Sequence, residues 1–364
     1  MDIWINIILF VAILAPFFLI ITFTPQMTPN IYSFGIRIPE NAYNLDEIVL
    51  LRKKFRNTHL LFSLLFTIFF ISISVYFSNE AAQATGLIIC IIGFLIADFF
   101  IYLHCHKKMK VIRNNMNWAI EKKQPIVIDT SFRNEKLTYS NGLFSIHAFI
   151  CFITILITIS FYPELPNQIP TKFNWDGTIT TYSEKTIGLF SVFPLIQFVT
   201  ILLFMGINIL LKRAKQQLNV QNADASKISS IQSRRKWSLF MIGSSLLSVF
   251  LFTLFQISYI VPFSPLKLII STIIITTITI TWAIIIARKP INQDTLSSNE
   301  NFSIQQDDDH FWKLGQFYYN RNDPTLMLEK RFGLGWTFNF ARPIAWGILF
   351  GPLVLIFGIV LLTA

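Results

Sequence analysis

Charge is scarce in this chain. Only 14 % of its 364 residues are Asp, Glu, Lys or Arg, against roughly 25 % in an ordinary soluble domain. Apolar types reach 53 %, with 37 phenylalanines, more than a soluble fold can hide. Cysteine is scarcer still. Cys90, Cys105 and Cys151 are the only three, and their spacing marks neither a disulfide framework nor a zinc site. No His-Glu-x-x-His, Gly-x-Ser-x-Gly or phosphate loop occurs. An enzyme is therefore the class the sequence supports least, and no metal or other cofactor is expected. The N-terminus does not read as a typical secretory leader. Asp2 stands where a positive n-region belongs, the run Ile3–Phe23 is too long, and no small-x-small site follows it. That run reads as a retained first helix.

What is present is a series of apolar runs about 20 residues long, the length at which a helix crosses roughly 30 Å of hydrocarbon. They are Ile3–Phe23, Leu60–Phe77, Gly86–Leu103, Leu143–Phe161, Ile187–Leu211, Trp237–Tyr259, Leu268–Ala287 and Ile344–Leu362. Open chain in lipid costs several kcal/mol per unpaired backbone group, so each run should be helical. The alternation of a membrane barrel is absent. The expectation is an all-α integral membrane protein of about eight transmembrane helices. Pro16 and Pro194 lie inside spans and should kink them. Thr272, Thr276 and Thr279 share one face of the seventh run, a pattern for helix packing or a polar path.

Orientation follows from the basic residues. Of the 30 lysines and arginines, 27 lie in the segments 24–59, 104–142, 212–236 and 288–343, and only Lys172, Lys185 and Lys267 lie in the others. With eight spans the four basic segments share one face, which the positive-inside rule makes cytoplasmic, so both termini face outward. The net charge of +10 is thereby assigned to anionic headgroups of the lipid bilayer, not to nucleic acid. Along the chain this gives a three-helix region 1–142, a two-helix module 143–211, a basic loop with two helices 212–290, a polar linker 291–306, a juxtamembrane cap 307–343 and a last helix 344–364.

The one long outer segment runs from Tyr162 to Thr186. Pro163, Pro166 and Pro170 should make its start stiff, extended and non-helical. Asp176-Gly177 marks a tight turn between Lys172–Trp175 and Thr178–Tyr182, so a small extracytoplasmic Pro-rich hairpin is expected. A stiff loop with exposed aromatics binds at low entropic cost. Its candidate ligand-binding residues are Pro166, Pro170, Lys172, Phe173, Trp175, Asp176, Gly177 and Lys185; the plainer role is a rigid connector anchored at the headgroups. Leu165, Pro166, Ile169, Pro170, Phe173, Gly177 and Lys185 resemble an uncharacterised membrane module of low-GC Gram-positive bacteria, the one that begins the SdpI-type toxin-immunity proteins. Lys172 stands where that pattern has His. The resemblance covers about residues 143–211. It implies a multi-pass bacterial cell-membrane protein of the immunity or signal-transducing type, acting for instance on a secreted peptide.

A second pattern follows the linker. Trp312, Lys313, Gly315, Phe317, Tyr318, Tyr319, Asn320, Asp323, Pro324, Phe332, Gly333, Gly335, Trp336, Thr337 and Asn339 resemble another uncharacterised module of bacterial membrane proteins, which implies membership but no activity. Asn322-Asp323-Pro324 should turn the chain between short strands at Phe317–Tyr319 and Thr325–Leu328. Gly333 and Gly335 should bend it before Trp336. Lys330, Arg331 and Arg342 beside Trp336 and Phe340 should lay the segment against the inner headgroups. Trp312, Tyr318, Tyr319, Arg331 and Trp336 are the candidate surface of this cap, either as a compact cover or as a dock for a cytoplasmic regulator. Asp307–Asp309 lack the spacing of a calcium loop and read as a solvated start.

Inside the membrane, Asp98 is the one acidic residue in a span and lies about 8 Å from its basic end. His147 lies at similar depth in the next span. A proton relay between them is the candidate chemistry and the basis of a rival reading as transporter or exporter; the plainer reading is that Asp98 reaches toward the interface and pairs with Lys107, Lys108 or a histidine. Gln197, near Pro194, and Gln256 are the remaining polar hints. A structural partner in a membrane assembly is the third reading.

Overall fold

The structure is a computed structural model that describes residues 2–76, 80–120, 135–173, 178–215, 223–261, 263–287, 303–304, 308–333 and 335–363. Eight α-helices occur among them, near the eight apolar runs: α1 Asp2–Met27, α2 Asp46–Tyr76, α3 Glu80–Met116, α4 Phe144–Phe161, α5 Ile187–Arg213, α6 Ala223–Ser258, α7 Pro265–Ala287 and α8 Pro343–Thr363. Six of them, α2 to α7, are long and apolar enough to cross a membrane; the described apolar stretches of α1 and α8, Leu14–Met27 and Pro343–Leu355, are shorter. The chain is a mostly helical, multi-pass membrane protein.

Three helices outrun their apolar cores. α2 starts 14 residues before Leu60, α3 ends 13 after Leu103, and α6 starts 14 before Trp237. These extensions carry charge and good helix formers, with Asp46 and Glu47 in the first turn of α2 and Arg113 in the last turn of α3, where each sign suits the helix dipole. A hydropathy run reports only the part of a helix that lipid covers.

The chain divides into two units, Met1–Val127 with Ala287–Ala341, and Ile128–Ile286 with Arg342–Ala364. The cap thus belongs with the first three helices, and the last helix with α4 to α7.

In the first unit, α2 packs on α1 and α3. Phe18 and Phe94 meet between them at 4.2 Å, beside Leu14, Phe70 and Cys90. A second core forms at the extensions. Phe34, Ile36 and Ile38 bury against Ile48, Leu51 and Phe55 of α2 and Tyr102, Cys105 and Met109 of α3. The strands here are short: β1 Tyr32–Ser33 with β2 Ile36–Arg37, and β3 Ala119–Ile120 with β6 Ser303–Ile304. β7 Trp312–Lys313 pairs with β8 Phe317–Tyr318, and β9 Met327–Glu329 with β10 Trp336–Phe338.

In the second unit, α4, α5 and α6 pack together and α8 packs on α5. The outer segment is a hairpin of β4 Gln168–Phe173 and β5 Ile179–Glu184. The Thr272 and Thr279 hydroxyls of α7 return to their own helix, at the carbonyls of Leu268 and Ile275.

Candidate functional site

The hairpin grows from its foot. Lys185, just before α5, sends Nζ to the carbonyl oxygens of Leu165 at 2.7 Å and Tyr162 at 3.3 Å, and lies 5.1 Å from the Tyr162 ring centre. Its backbone N–H donates to Asn167 O at 2.8 Å. Carbonyls in a Pro-rich stretch have few N–H partners, so one ammonium with three donors satisfies what the prolines cannot. Lys185 was a candidate ligand contact; its place is internal, at the hinge between hairpin and helix. Thr186 then caps α5 by accepting from Leu189 N–H at 3.2 Å.

The strands differ from the expectation. They lie nearer the foot, and β4 includes Pro170, with the register shifting between Pro170 and Lys172 and again between Lys172 and Phe173. Proline has no donor for a ladder and is tolerated beside a bulge. The start of the segment is also not wholly extended. Tyr162–Glu164 forms a 3₁₀ turn holding Pro163, because proline's missing N–H is not needed in a first turn. Pro166 lies between that turn and β4. Ile169 is fully buried, whereas Ile179 and Tyr182 of β5 are exposed. Trp175, Asp176 and Gly177 lie outside the described residues; of Lys172 and Phe173 the strand position is described.

Below the foot, the hydrogen bond that Pro194 removes from α5 is replaced from α6. Pro194 cannot donate to the carbonyl of Phe190, four residues back. Gln256 does so instead, with Nε2 at 3.1 Å from Phe190 O and 3.0 Å from Thr158 Oγ1. Gln197 reaches Val249 O at 3.0 Å and Thr253 Oγ1 at 2.9 Å, and Thr253 faces Thr154 at 3.3 Å. Both glutamines are fully buried. These polar residues tie the two hairpin-bearing helices to α6. At the far end of α5, Arg234 covers the helix terminus, donating to the carbonyls of Leu211 at 2.7 Å, Ala214 at 3.0 Å and Lys215 at 3.1 Å.

In the first unit, the cap is a scaffold closed on itself. Arg331 is almost fully buried. It forms ion pairs with Asp308 and Asp309, and Asp309 also pairs with Arg113 of α3. Arg37 lies 3.6 Å from Asp308. The guanidinium sits 4.8 Å from the Trp312 ring centre and 5.1 Å from that of Tyr32. Two expectations fall here. Asp308 and Asp309 are engaged, not merely solvated, and Arg331 turns inward instead of facing headgroups. A planar guanidinium fork that finds two carboxylates and two aromatic faces is better served inside. Burial opposes the Arg331 charge, but Tyr32, Asp308 and Asp309 outweigh it and hold the group above the usual arginine value.

Much of the rest of the cap motif is also internal. Tyr318 donates to Asp323 Oδ2 at 2.8 Å. Burial, opposed by Asn320 and reinforced by Asp323, pushes its phenol up to about 12. Asn339 is fully buried and uses both ends of its amide. Nδ2 donates to Asn320 O and Asp323 O, and Oδ1 accepts from the N–H of Asn320 and Ala341. The strands at Phe317 and Met327 form, but each pairs with another strand, not with its neighbour across the Asp323-Pro324 turn. Gly333 and Gly335 take φ of 81° and 90°, as the bend before Trp336 requires. Trp336 is half-buried on β10, and Tyr319 is exposed beside Arg321, whose Nε donates to its hydroxyl at 3.2 Å.

What the sequence reading missed is a second tight turn, between α1 and α2, that packs on the cap. Phe34 and Gly35 have φ of 47° and 77°, a two-residue turn with both central residues left-handed. Its tip meets that of β7–β8: a Cβ on Gly35 would lie 2.3 Å from Gly315 O, and one on Gly315 2.6 Å from Tyr102 Oη. Tyr102 donates to Leu314 O at 2.9 Å, and His106 Nδ1 lies 2.8 Å from Phe34 O. A Gly between short alternating apolar residues was the available signal.

The two membrane residues expected to meet have other partners. Asp98 lies against His59, with Oδ1 3.1 Å from Nε2. His147 is buried with Nδ1 3.2 Å from Leu143 O and Nε2 3.0 Å from Ile242 O of α6.

Comparison with known families finds two matches. Residues 149–198, from α4 through the hairpin into α5, match a domain of unknown function, DUF1648. Residues 321–346, the second half of the cap and the start of α8, match a family of unknown function, DUF5808. No curated protein and no solved structure matches the chain.

Proposed function

We propose that this chain is an eight-span bacterial cell-membrane protein of the immunity or sensing type, with both termini outside. Its hairpin would meet an extracellular ligand such as a peptide toxin, and its cap would offer a cytoplasmic regulator a surface. The resemblance to SdpI-type immunity proteins over the hairpin module supports the class. The charge asymmetry supports the orientation.

The observation that carries the reading is the footing of the hairpin. It is short, pinned by Lys185 and continuous with α4 and α5. Both of these are tied through Thr158 and Phe190 O to Gln256 of α6. A ligand on such a lever moves helices, whereas a ligand on a slack loop would not. A two-stranded ribbon also leaves both outer edges open to a third strand, a common way to hold a peptide.

The test uses cells expressing the full chain and challenged with the cognate agent. Trp175→Ala and Lys172→Ala should leave membrane levels unchanged and lower protection or response at least tenfold. Full protection in both variants refutes the hairpin as receptor. Outside-only labelling of a cysteine placed at Tyr182 checks the orientation, and labelling only after lysis refutes it.

A further inference from the structure

His59 is fully buried on α2, one residue before the apolar run that starts at Leu60. Its ring packs 4.3 Å from Phe55 and 6.1 Å from Phe94, centre to centre. Asp98 of α3 faces it, 27 % exposed, at an ion-pair distance of 3.1 Å but without the alignment of a straight hydrogen bond. One turn along α2, Ser63 points a buried hydroxyl the same way round the helix. Among the described residues, His59 Nδ1 and Ser63 Oγ have no hydrogen-bond partner in the protein.

A buried imidazole costs stability unless its nitrogens are satisfied. An apolar residue of the same size would pack between Phe55 and Phe94 without that cost. Over Leu14–Met27, α1 carries no titratable side chain. The cap contributes Phe332, 6.1 Å from Phe55. Tyr102, one turn beyond Asp98, is bound to the carbonyls of Leu314 and Phe34. Among the described residues, His59 is the one ion-pair partner of Asp98.

We propose that His59 and Asp98 form a proton-binding site at the basic end of the apolar runs of α2 and α3, entered at Asp98. The carboxyl, being partly exposed, exchanges protons with the surroundings. A proton then passes inward: the O–H bond of Asp98 breaks, an N–H bond forms at His59 Nε2, and a neutral pair becomes carboxylate and imidazolium. The pair's net charge is zero before and after, so the transfer brings no net charge into the apolar layer. Residues that ionise inside a membrane mark proton and ion paths far more often than they serve packing. This site is independent of the hairpin reading, and either can fail alone.

The experiment uses the full chain in lipid nanodiscs. Proton uptake per chain is counted from about pH 4 to about pH 9. Asp98→Asn and His59→Gln should each bind about one proton fewer than the wild type, while Asp98→Glu restores the count. Equal counts in wild type and Asp98→Asn overturn the proposal, as does a loss confined to His59→Gln. A second measurement needs no variant. In infrared spectra of wild type with isotope-labelled aspartate and histidine, the carboxyl and imidazole bands should change at shared midpoints, as coupled groups do. Independent titration of the two bands overturns the shared-proton pair.

Discussion

Replacing Gln256 by Leu isolates the consequence of a single proline. In the native chain Gln256 Nε2 bonds two oxygens, Phe190 O and Thr158 Oγ1. Its Oε1 has no partner among the described residues. The substitution loses both bonds and also removes that unpaired acceptor. Thr158 keeps its bond to Thr154 O, so the exposed loss is the Phe190 carbonyl, which Pro194 leaves without an intrahelical donor. Interhelical bonds in membranes are worth about 0.6 kcal/mol on average and up to about 1.7. An unsatisfied carbonyl in an apolar layer sits at the upper end, so Gln256→Leu should cost about 1–2 kcal/mol. Pro194→Ala restores an N–H four residues after Phe190 and closes the gap from within α5. In that background Gln256→Leu should cost under about 0.5 kcal/mol, giving a coupling near 1 kcal/mol. Reversible unfolding of the four proteins in mixed micelles measures the cycle. Equal costs with and without Pro194 would refute the argument that α6 replaces the lost bond.

Two further perturbations probe the cap. Arg331→Gln leaves Asp308 and Asp309 with Arg37 and Arg113 alone and should destabilise the cap by about 3 kcal/mol; Arg331→Lys should recover little, lacking the planar fork, and protease cleavage within 308–341 before loss of helical circular dichroism reads both. For Tyr318, a folded-state value of about 12 above the free value of about 10 means the native state holds its proton longer, so this contribution is whole below about pH 10 and is lost as pH rises toward 12. Tyr318→Phe should flatten the alkaline fall in cap stability over that window, and an unchanged alkaline transition would count against it.

The helical architecture was legible because lipid makes a crude demand that a run of about 20 apolar residues meets directly. The helix extensions were not. Residues 46–59, 104–116 and 223–236 satisfy no hydropathy rule, and their helicity follows from continuation of the helix and from packing at Phe55 and Met109. The hairpin was legible as a hairpin because Asp176-Gly177 is a local turn signal, although its strands lie closer to the foot than β propensity placed them. The cap's ion cluster was not legible. It joins Arg37, Arg113, Asp309 and Arg331 across more than 290 positions of sequence, and nothing local marks which arginine turns inward. Asp98 stands out as an acidic residue within an apolar run, but depth along a helix does not say which neighbour faces it. His59 stands one residue before an apolar run, in the basic segment 24–59, where hydropathy does not mark it.

The internal use of the motif residues bears on where recognition can reside. In the cap, Trp312, Tyr318, Asp323, Gly333 and Asn339 carry the resemblance, and each is spent on the cap's own structure: ring packing, a side-chain bond, a left-handed bend or a saturated amide. In the hairpin module, Leu165, Lys185 and Ile169 do the same for the foot. Such residues specify a shape. They leave little chemistry for a partner, since a group already bonded must break that bond to bind anything else. Discrimination between ligands then falls to exposed positions on the same scaffold: Ile179 and Tyr182 on β5, and Leu314, Phe317 and Tyr319 on the cap. Exchanging the β5 face between two proteins that share the module should therefore exchange their ligand preference, while exchanging Lys185 or its neighbours should only loosen the hairpin. A swap of preference that follows the foot and not the strand would place recognition in the motif after all.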